Sequence, residues 1–288
     1  MEIPAALAAS ARTMTLPSLP TGLFFYEAGP RDAPAILLLH GLGDEADTWR
    51  RIIPALSRSH RVIAPDIPGF GRSPTPRRRL FTPPLFARIV RELLSGLGIE
   101  SAVFVGSSLG ASILQYVATR LPGACTRLVL IDGGLAATSH IPSSMIPMLI
   151  PGLGESRYRG FDADREAAYA SLAPYYAALD RLPTAEQDFL RTRVGERVAS
   201  ATQRRAYFSL FRGHVYWMLL NGKRAVRAVE TLETPTTYVW GGEDRIVPVA
   251  LAQAMCVRQP RARLVTVPGA GHLPQQEAPE EVLRAIAG

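Results

Sequence analysis

The 288-residue chain is poor in cysteine, with only Cys125 and Cys256. Two thiols allow at most one disulfide and lack the spacing of a metal-binding cluster, so a disulfide-stapled or zinc-stapled fold is excluded. Both fall in stretches that read as helix or helix-to-strand connection. Reduced structural thiols are therefore expected, and with them a cytoplasmic protein, export being the alternative. Lysine is scarcer still: Lys223 is the only one. The net charge of +7 rests on arginines, scattered apart from the run Arg77-Arg78-Arg79. No aromatic-interleaved basic motif accompanies them, so no nucleic-acid partner is expected and the charge reads as a solvated surface. No apolar run approaches the roughly 20 residues that span a bilayer, which argues against integral membrane association. Residues 1–20 carry a small apolar patch, Ile3 to Ala9, behind Glu2 instead of a basic region. They read as an N-terminal leader lying on the surface, not as a cleaved signal. Internal repeats are absent as well, which removes solenoids and propellers.

What is present is a globular composition, 47% hydrophobic and 20% charged. Short apolar runs alternate with longer amphipathic stretches. The strand candidates are Gly22–Ala28, Ala35–His40, Val62–Pro65, Ala102–Gly106, Arg127–Ile131, Thr236–Trp240 and Arg263–Val267. A run such as Ile36-Leu37-Leu38-Leu39 fits a strand buried on both faces, as in a parallel sheet. Helices are expected over Asp47–Ser57, Pro84–Leu97, Ser108–Leu121, Val249–Arg258 and Pro279–Ala287. This alternation predicts an α/β fold, a doubly wound and mostly parallel sheet. It breaks once. Between Ile131 and Thr236 no strand is convincing, which predicts an inserted helical cap at 135–230 over a core made of 21–134 and 231–288. The cap is rich in apolar side chains, and ordinary packing of a lid onto the core accounts for most of them. A minority are expected to line an apolar substrate pocket: Met145, Met148 and Trp217, with Val247 and Leu273 from the core.

The chemistry concentrates at strand ends. Gly106-Ser107-Ser108-Leu109-Gly110 lies between an apolar run and a helix, the layout of a nucleophile elbow with Ser108 at its apex. A serine hydroxyl is a poor nucleophile and needs a base within hydrogen-bond reach. His272, in a small-residue loop directly after the strand candidate Arg263–Val267, is the expected base. Two carboxylates could orient it. Asp244 follows a strand through Gly241-Gly242-Glu243 and keeps the order Ser, Asp, His; Asp132, which closes an earlier strand, is the fallback. His40-Gly41-Leu42-Gly43 ends another strand, and the backbone N–H groups of Leu42 and Leu109 are the expected oxyanion hole. His40 is expected to brace its own loop. His60, His140 and His214 have no supporting context.

Those stretches, together with Asp66-Ile67-Pro68-Gly69-Phe70-Gly71-Arg72-Ser73 and Trp240-Gly241-Gly242-Glu243-Asp244, resemble the α/β-hydrolase fold superfamily from Gly22 to the end of the chain. The resemblance implies an eight-stranded, mostly parallel sheet, a helical cap after the sixth strand, and Ser108, Asp244 and His272 as triad. It makes Asp66–Ser73 a structural turn. Haloalkane dehalogenases and epoxide hydrolases of this fold carry aspartate where Ser108 stands. Cofactor-free perhydrolases commonly have an aromatic residue where Leu42 stands and a glycine where Ala111 stands. Carbon–carbon bond hydrolases typically have an aromatic after the histidine, where Leu273 and Pro274 follow. The branch that remains is the serine esterase, lipase and lactonase group: cleavage of an apolar acyl or aryl ester, or a lactone, through an acyl-enzyme. The expected partner is a small-molecule ester, with no metal or organic cofactor; monomer and dimer both stay open. The alternatives are carbon–carbon bond hydrolysis or perhydrolysis by the same triad, and a receptor-like binder with vestigial hydrolysis.

Overall fold

The computed structural model describes residues 1–76, 81–136, 143–162 and 164–288. The run Arg77-Arg78-Arg79 and His140 lie outside the described residues. Eight strands form one sheet: β1 (Ala11–Leu16), β2 (Leu19–Ala28), β3 (Ala35–Leu39), β4 (Arg61–Pro65), β5 (Ala102–Ser107), β6 (Cys125–Ile131), β7 (Thr236–Gly241) and β8 (Ala262–Val267). Their order is β1-β2-β4-β3-β5-β6-β7-β8. Only β2 runs against its neighbours; every other pairing is parallel.

Burial explains the uniformly apolar central strands. Along β3, Ile36 and Leu38 face a core shared with Trp49, Ile53 and Val282, while Leu37 and Leu39 face one shared with Phe86, Ile113 and Val117. Both faces are covered, so alternation disappears from the strand. The covering helices are α1 (Ile53–Leu56), α2 (Pro83–Gly96), α3 (Leu109–Arg120), α8 (Ala250–Arg258), α9 (Pro274–Glu277) and α10 (Pro279–Ala287).

Between β6 and β7 the chain makes α4 (Leu153–Arg159), α5 (Arg165–Ala170), α6 (Thr184–Ala199) and α7 (Ala201–Glu230), with 3-10 turns between them and no strand among the described residues. This segment has an apolar cluster of its own, centred on Tyr169, Tyr176, Leu190 and Val194. Helix α7 is about 45 Å long at 1.5 Å per residue. Its later turns bury Ala225 and Val229 in the main core, so it both covers the sheet edge and returns the chain to β7.

Three expectations need correction. Residues 1–20 are not a leader outside the fold: Leu7 is buried in the core, and Ala11–Leu16 is the edge strand β1, paired with β2. An edge strand buries little, so Ala-Arg-Thr-Met-Thr-Leu shows no apolar run. The stretch Asp47–Ser57 is not one helix but a 3-10 turn, Ala46–Trp49, followed by the single turn α1. Pro54 at the second helical position of α1 supplies no N–H for an earlier helical bond, which suits a new start there. Cys125 begins a strand; like Cys256 it is a free thiol.

Candidate active site

Strand β5 ends in a turn that forces Ser108 to φ 52° and ψ −118°, outside the ordinary regions for an L-residue. The flanking glycines make the turn sterically feasible. A Cβ on Gly110 would lie 2.4 Å from the carbonyl oxygens of Leu39 and His40, and one on Gly106 would lie 2.6 Å from Ala111 N and Cα. Helix α3 starts at Leu109, with Ser108 as its N-cap residue. The helical bonds begin with Ala111 and Ser112 N–H to the Ser108 carbonyl (3.1 and 3.3 Å), so the Leu109 and Gly110 N–H groups precede them at the positive end of the helix dipole.

His272 follows β8 in the loop before α9. Its Nε2 accepts from the Ser108 hydroxyl at 2.9 Å, and its Nδ1–H donates to Asp244 Oδ2 at 2.9 Å. The side chains of His272 and Asp244 are only 2% and 1% exposed, so water competes with neither bond. Asp244 Oδ1 accepts from the N–H groups of Ile246 (2.7 Å) and Val247 (3.1 Å). Burial alone would raise this carboxyl; hydrogen bonding to His272 and the charge it can carry, with further help from Asp132 and Val247, hold it below the usual carboxylate range.

The loop holding His272 is itself tied at both sides. Its N–H donates to the Tyr175 carbonyl (2.8 Å), and Glu277 accepts from Gly271 N (2.7 Å) and Ala177 N (2.9 Å). One carboxylate thus joins the histidine loop to the segment above it.

Leu42 lies two residues beyond His40, and the loop passes close to the serine: a Cβ on Gly41 would sit 3.1 Å from Ser108 Cβ and 3.8 Å from Oγ. His40 braces this loop as expected. Its Nε2 accepts from Ile67 N–H (2.8 Å), which leaves Nδ1–H to donate to the Gly41 carbonyl (2.8 Å). Burial holds the ring below its usual pKa and therefore neutral. Asp66 accepts from Ala46 N and Arg72 N, both at 2.7 Å, and so serves a turn and not the serine. His60 bonds Ser59 at the surface. His214 is buried, and burial lowers it to about 4.

Asp132, Asp244 and His272 place one ligand atom each within 4.8 Å of one another. These atoms are committed among themselves, and a cation there would displace the bond between Asp244 and His272.

With that geometry in view, a family model described as alpha/beta hydrolase fold matches residues 34–279. The chain belongs to the α/β-hydrolase family. An uncharacterized Mycobacterium tuberculosis protein is 30% identical over 269 residues, covering 88% of this chain and 74% of that one. Among solved structures, a 2-hydroxy-6-oxo-6-phenylhexa-2,4-dienoate hydrolase from Rhodococcus superposes with a TM-score of 0.77 at 22% identity, over 96% of this chain and 99% of that one. A Bacillus subtilis carboxylesterase superposes equally well, TM-score 0.77, at 19% identity over 98% and 92% of the two chains. At such identities the structures speak for the fold.

In this α/β-hydrolase the residues read as pocket-lining fall in different surroundings. Val247 is buried beside the acid loop, its carbonyl accepting from Trp240 Nε1 at 3.0 Å. Leu273 packs against the apolar cluster of α5 and α6. Trp217 stacks edge-on with Tyr116, 4.9 Å between centroids. Met145 and Met148 are half-buried in the 3-10 turn Ser143–Leu149, where the Met148 carbonyl accepts from Arg212. Two aromatics missed by that selection stand nearer the strand ends. The Tyr175 ring lies 5.9 Å from the His272 ring, and Tyr207 on α7 would touch a Cβ on Gly43 at 3.4 Å. Tyr207 also packs with Tyr158, Phe208 and Phe211. Helical spacing marks such residues as inward-facing but does not say what they will face.

The overlying helices are fastened beside the Gly41–Glu45 loop by charge. Arg197 of α6 donates to Asp44 (2.6 Å) and Glu45 (2.7 Å), and Arg193 pairs with Asp47 (2.9 Å).

Proposed function

We propose that this α/β-hydrolase is a serine hydrolase of carboxylic esters, with Ser108 as nucleophile, His272 as general base and Asp244 as the orienting acid. The observation that carries the reading is the unbroken chain of two 2.9 Å hydrogen bonds from Ser108 Oγ through His272 to Asp244. In the first half-reaction Ser108 Oγ bonds to the ester carbonyl carbon while its proton passes to His272 Nε2. Leu42 and Leu109 N–H groups are assigned to the oxyanion, each worth about 3 kcal/mol in the transition state. The imidazolium then gives its proton to the leaving alcohol as the C–O bond breaks. Water, deprotonated by His272, attacks the acyl-enzyme, and the proton returns to Ser108 as the acid departs. No step requires a metal or organic cofactor.

The substrate class we infer is an apolar acyl or aryl ester or lactone, with 135–230 acting as the cap that shapes its pocket. Support comes from the half-buried Tyr175 and Tyr207 near the histidine and the oxyanion loop. The test is turnover of p-nitrophenyl esters of graded acyl length by the wild type and Ser108→Ala. Serine-dependent turnover with a chain-length optimum supports the reading. Turnover unchanged in Ser108→Ala overturns it, and serine-dependent cleavage of a ring-fission diketone without ester turnover replaces it by carbon–carbon hydrolysis.

A further inference from the structure

Asp132 stands directly behind the triad. It follows β6, is fully buried, and adopts φ 46°, a left-handed backbone conformation that few side chains accept without strain. Its own N–H donates to the Val239 carbonyl at 2.9 Å. Side-chain Oδ1 accepts from Gly241 N–H at 2.9 Å. Side-chain Oδ2 is buried and meets no N–H or O–H donor among the described residues. What it does meet is the Asp244 carboxyl group, the same group that orients His272.

Two bare carboxylates with oxygens within 4.8 Å of each other, both buried, cannot both carry charge. The donors decide which one does. Asp244 receives three N–H bonds, from Ile246, Val247 and His272, whereas Asp132 receives one. The proton therefore belongs on Asp132, where its O–H points at Asp244 and satisfies the otherwise orphaned oxygen. Burial and the neighbouring Asp244 charge both push the Asp132 carboxyl well above the carboxylate range. Glu277 is the other acid facing it, and His272 lies beyond Asp244.

We propose that Asp132 is a positioning residue, a neutral carboxylic acid whose O–H donates to Asp244 and fixes the acid that orients His272. The proposal rests on the triad reading and deepens it. A neutral donor leaves a single negative charge behind the histidine, on Asp244. It also saturates the Asp244 lone pairs and removes that carboxylate's freedom to swing away.

The test uses two variants of the full chain. Asp132→Asn keeps the acceptor for Gly241 N–H, supplies an N–H in place of the O–H, and tolerates the left-handed backbone. Asp132→Gly deletes the side chain at a φ that glycine accepts freely. Asp132→Asn should keep kcat for a p-nitrophenyl ester within about threefold, whereas Asp132→Gly should lose roughly tenfold or more in kcat with little change in KM. In Asp132→Gly the Asp244 carboxylate loses a donor, so the acid limb of the kcat/KM profile should move to higher pH; in Asp132→Asn it should stay in place. The infrared difference spectrum of wild type minus Asp132→Asn at pH 8 should contain a carboxylic-acid C=O band.

A spectrum with only carboxylate bands overturns the proposal. So does an acid limb in Asp132→Asn that moves about one pH unit downward, the signature of a lost negative charge. Loss of kcat in Asp132→Asn equal to that in Asp132→Gly overturns it too. The infrared result needs no turnover. If Ser108→Ala hydrolysed the ester as fast as wild type, the triad reading would fail while the band still reported where the proton resides.

Discussion

The carboxyl edge of the sheet and the helices above it hold their residues by different physics. At the sheet edge, position is set by backbone. Ser108, Asp244 and His272 sit on turns whose neighbours approach to a few ångströms through glycine, and their side chains are locked by short bonds in a dry interior. In the helical segment, position is set by long side chains: arginines reaching acids on the core loop, and tyrosines packed ring against ring. The first arrangement suits chemistry, which tolerates little displacement of reacting atoms. The second suits a surface that must accommodate a ligand. Substitutions in the first region should therefore remove turnover or folding outright, and those in the second should loosen attachment first.

The largest effect is expected at the serine. Ser108→Ala should lower kcat for an ester by roughly a thousandfold or more, measured on purified protein with p-nitrophenyl esters. The same position should separate stability from activity. Ser108→Gly relieves φ 52° and should melt above wild type while remaining inactive, a gain of about 1 kcal/mol. A variant that melted lower would show that the elbow is unstrained.

Next comes the same small change made in each region. Gly110→Ala drives a methyl to 2.4 Å from two carbonyl oxygens and should cost about 3 kcal/mol or more, or prevent folding. Gly160→Ala, at φ −56° with nothing within 4 Å of its Cβ, should change stability by no more than about 0.5 kcal/mol. Urea midpoints decide both. Equal losses would erase the distinction between the regions.

The ionic fastening ranks third. Arg197→Met leaves Glu45, whose side chain is 0% exposed, without its closest partner. Breaking a buried pair from one side costs about 3 kcal/mol. Limited proteolysis should then cut within 184–199 before the sheet opens; simultaneous cutting throughout the chain would mean that the two regions unfold as one.

This contrast also explains what the sequence could and could not disclose. Central parallel strands are apolar on both faces and end in glycine-bearing loops, so β3, β5, β7 and the loops at His40, Ser108, Asp244 and His272 are visible as local patterns. Edge strand β1 is half polar and carries no such run. The bond between Arg197 and Glu45 joins residues 152 positions apart, and nothing local announces it. Tyr207 is apolar on a helix whichever neighbour it meets, so its approach to Gly43 needed the tertiary structure. Asp132 was legible as a candidate acid; its place behind Asp244 was not, because the two follow different strands, brought together only by the pairing of β6 with β7.

The smallest effect concerns Glu155 and gives the comparison a pH axis. Glu155 on α4 accepts from both terminal nitrogens of Arg212 on α7, at 2.6 and 2.9 Å, and from Gly152 N–H at 2.8 Å. The Arg212 hydrogen bonds are the main reason its carboxyl falls from 4.5 to about 2. A folded pKa below the unfolded one means that the stabilisation is complete above pH 4.5 and is lost as pH falls toward 2. The side chain is 32% exposed, so solvent screening reduces its worth to about 1 kcal/mol. Glu155→Gln keeps an acceptor for Gly152 but loses the charge. It should melt about 2 °C below wild type at pH 7, and the two curves should close from about pH 4.5 downward and meet only near pH 2 and below. Ester turnover at pH 7 should stay within about twofold, because the pair ties one overlying helix to another and touches none of the strand-end residues. A melting gap that persisted at low pH would mean that geometry, and not charge, holds α4 to α7. A large loss of turnover would mean that the overlying helices position the reacting groups as firmly as the sheet does.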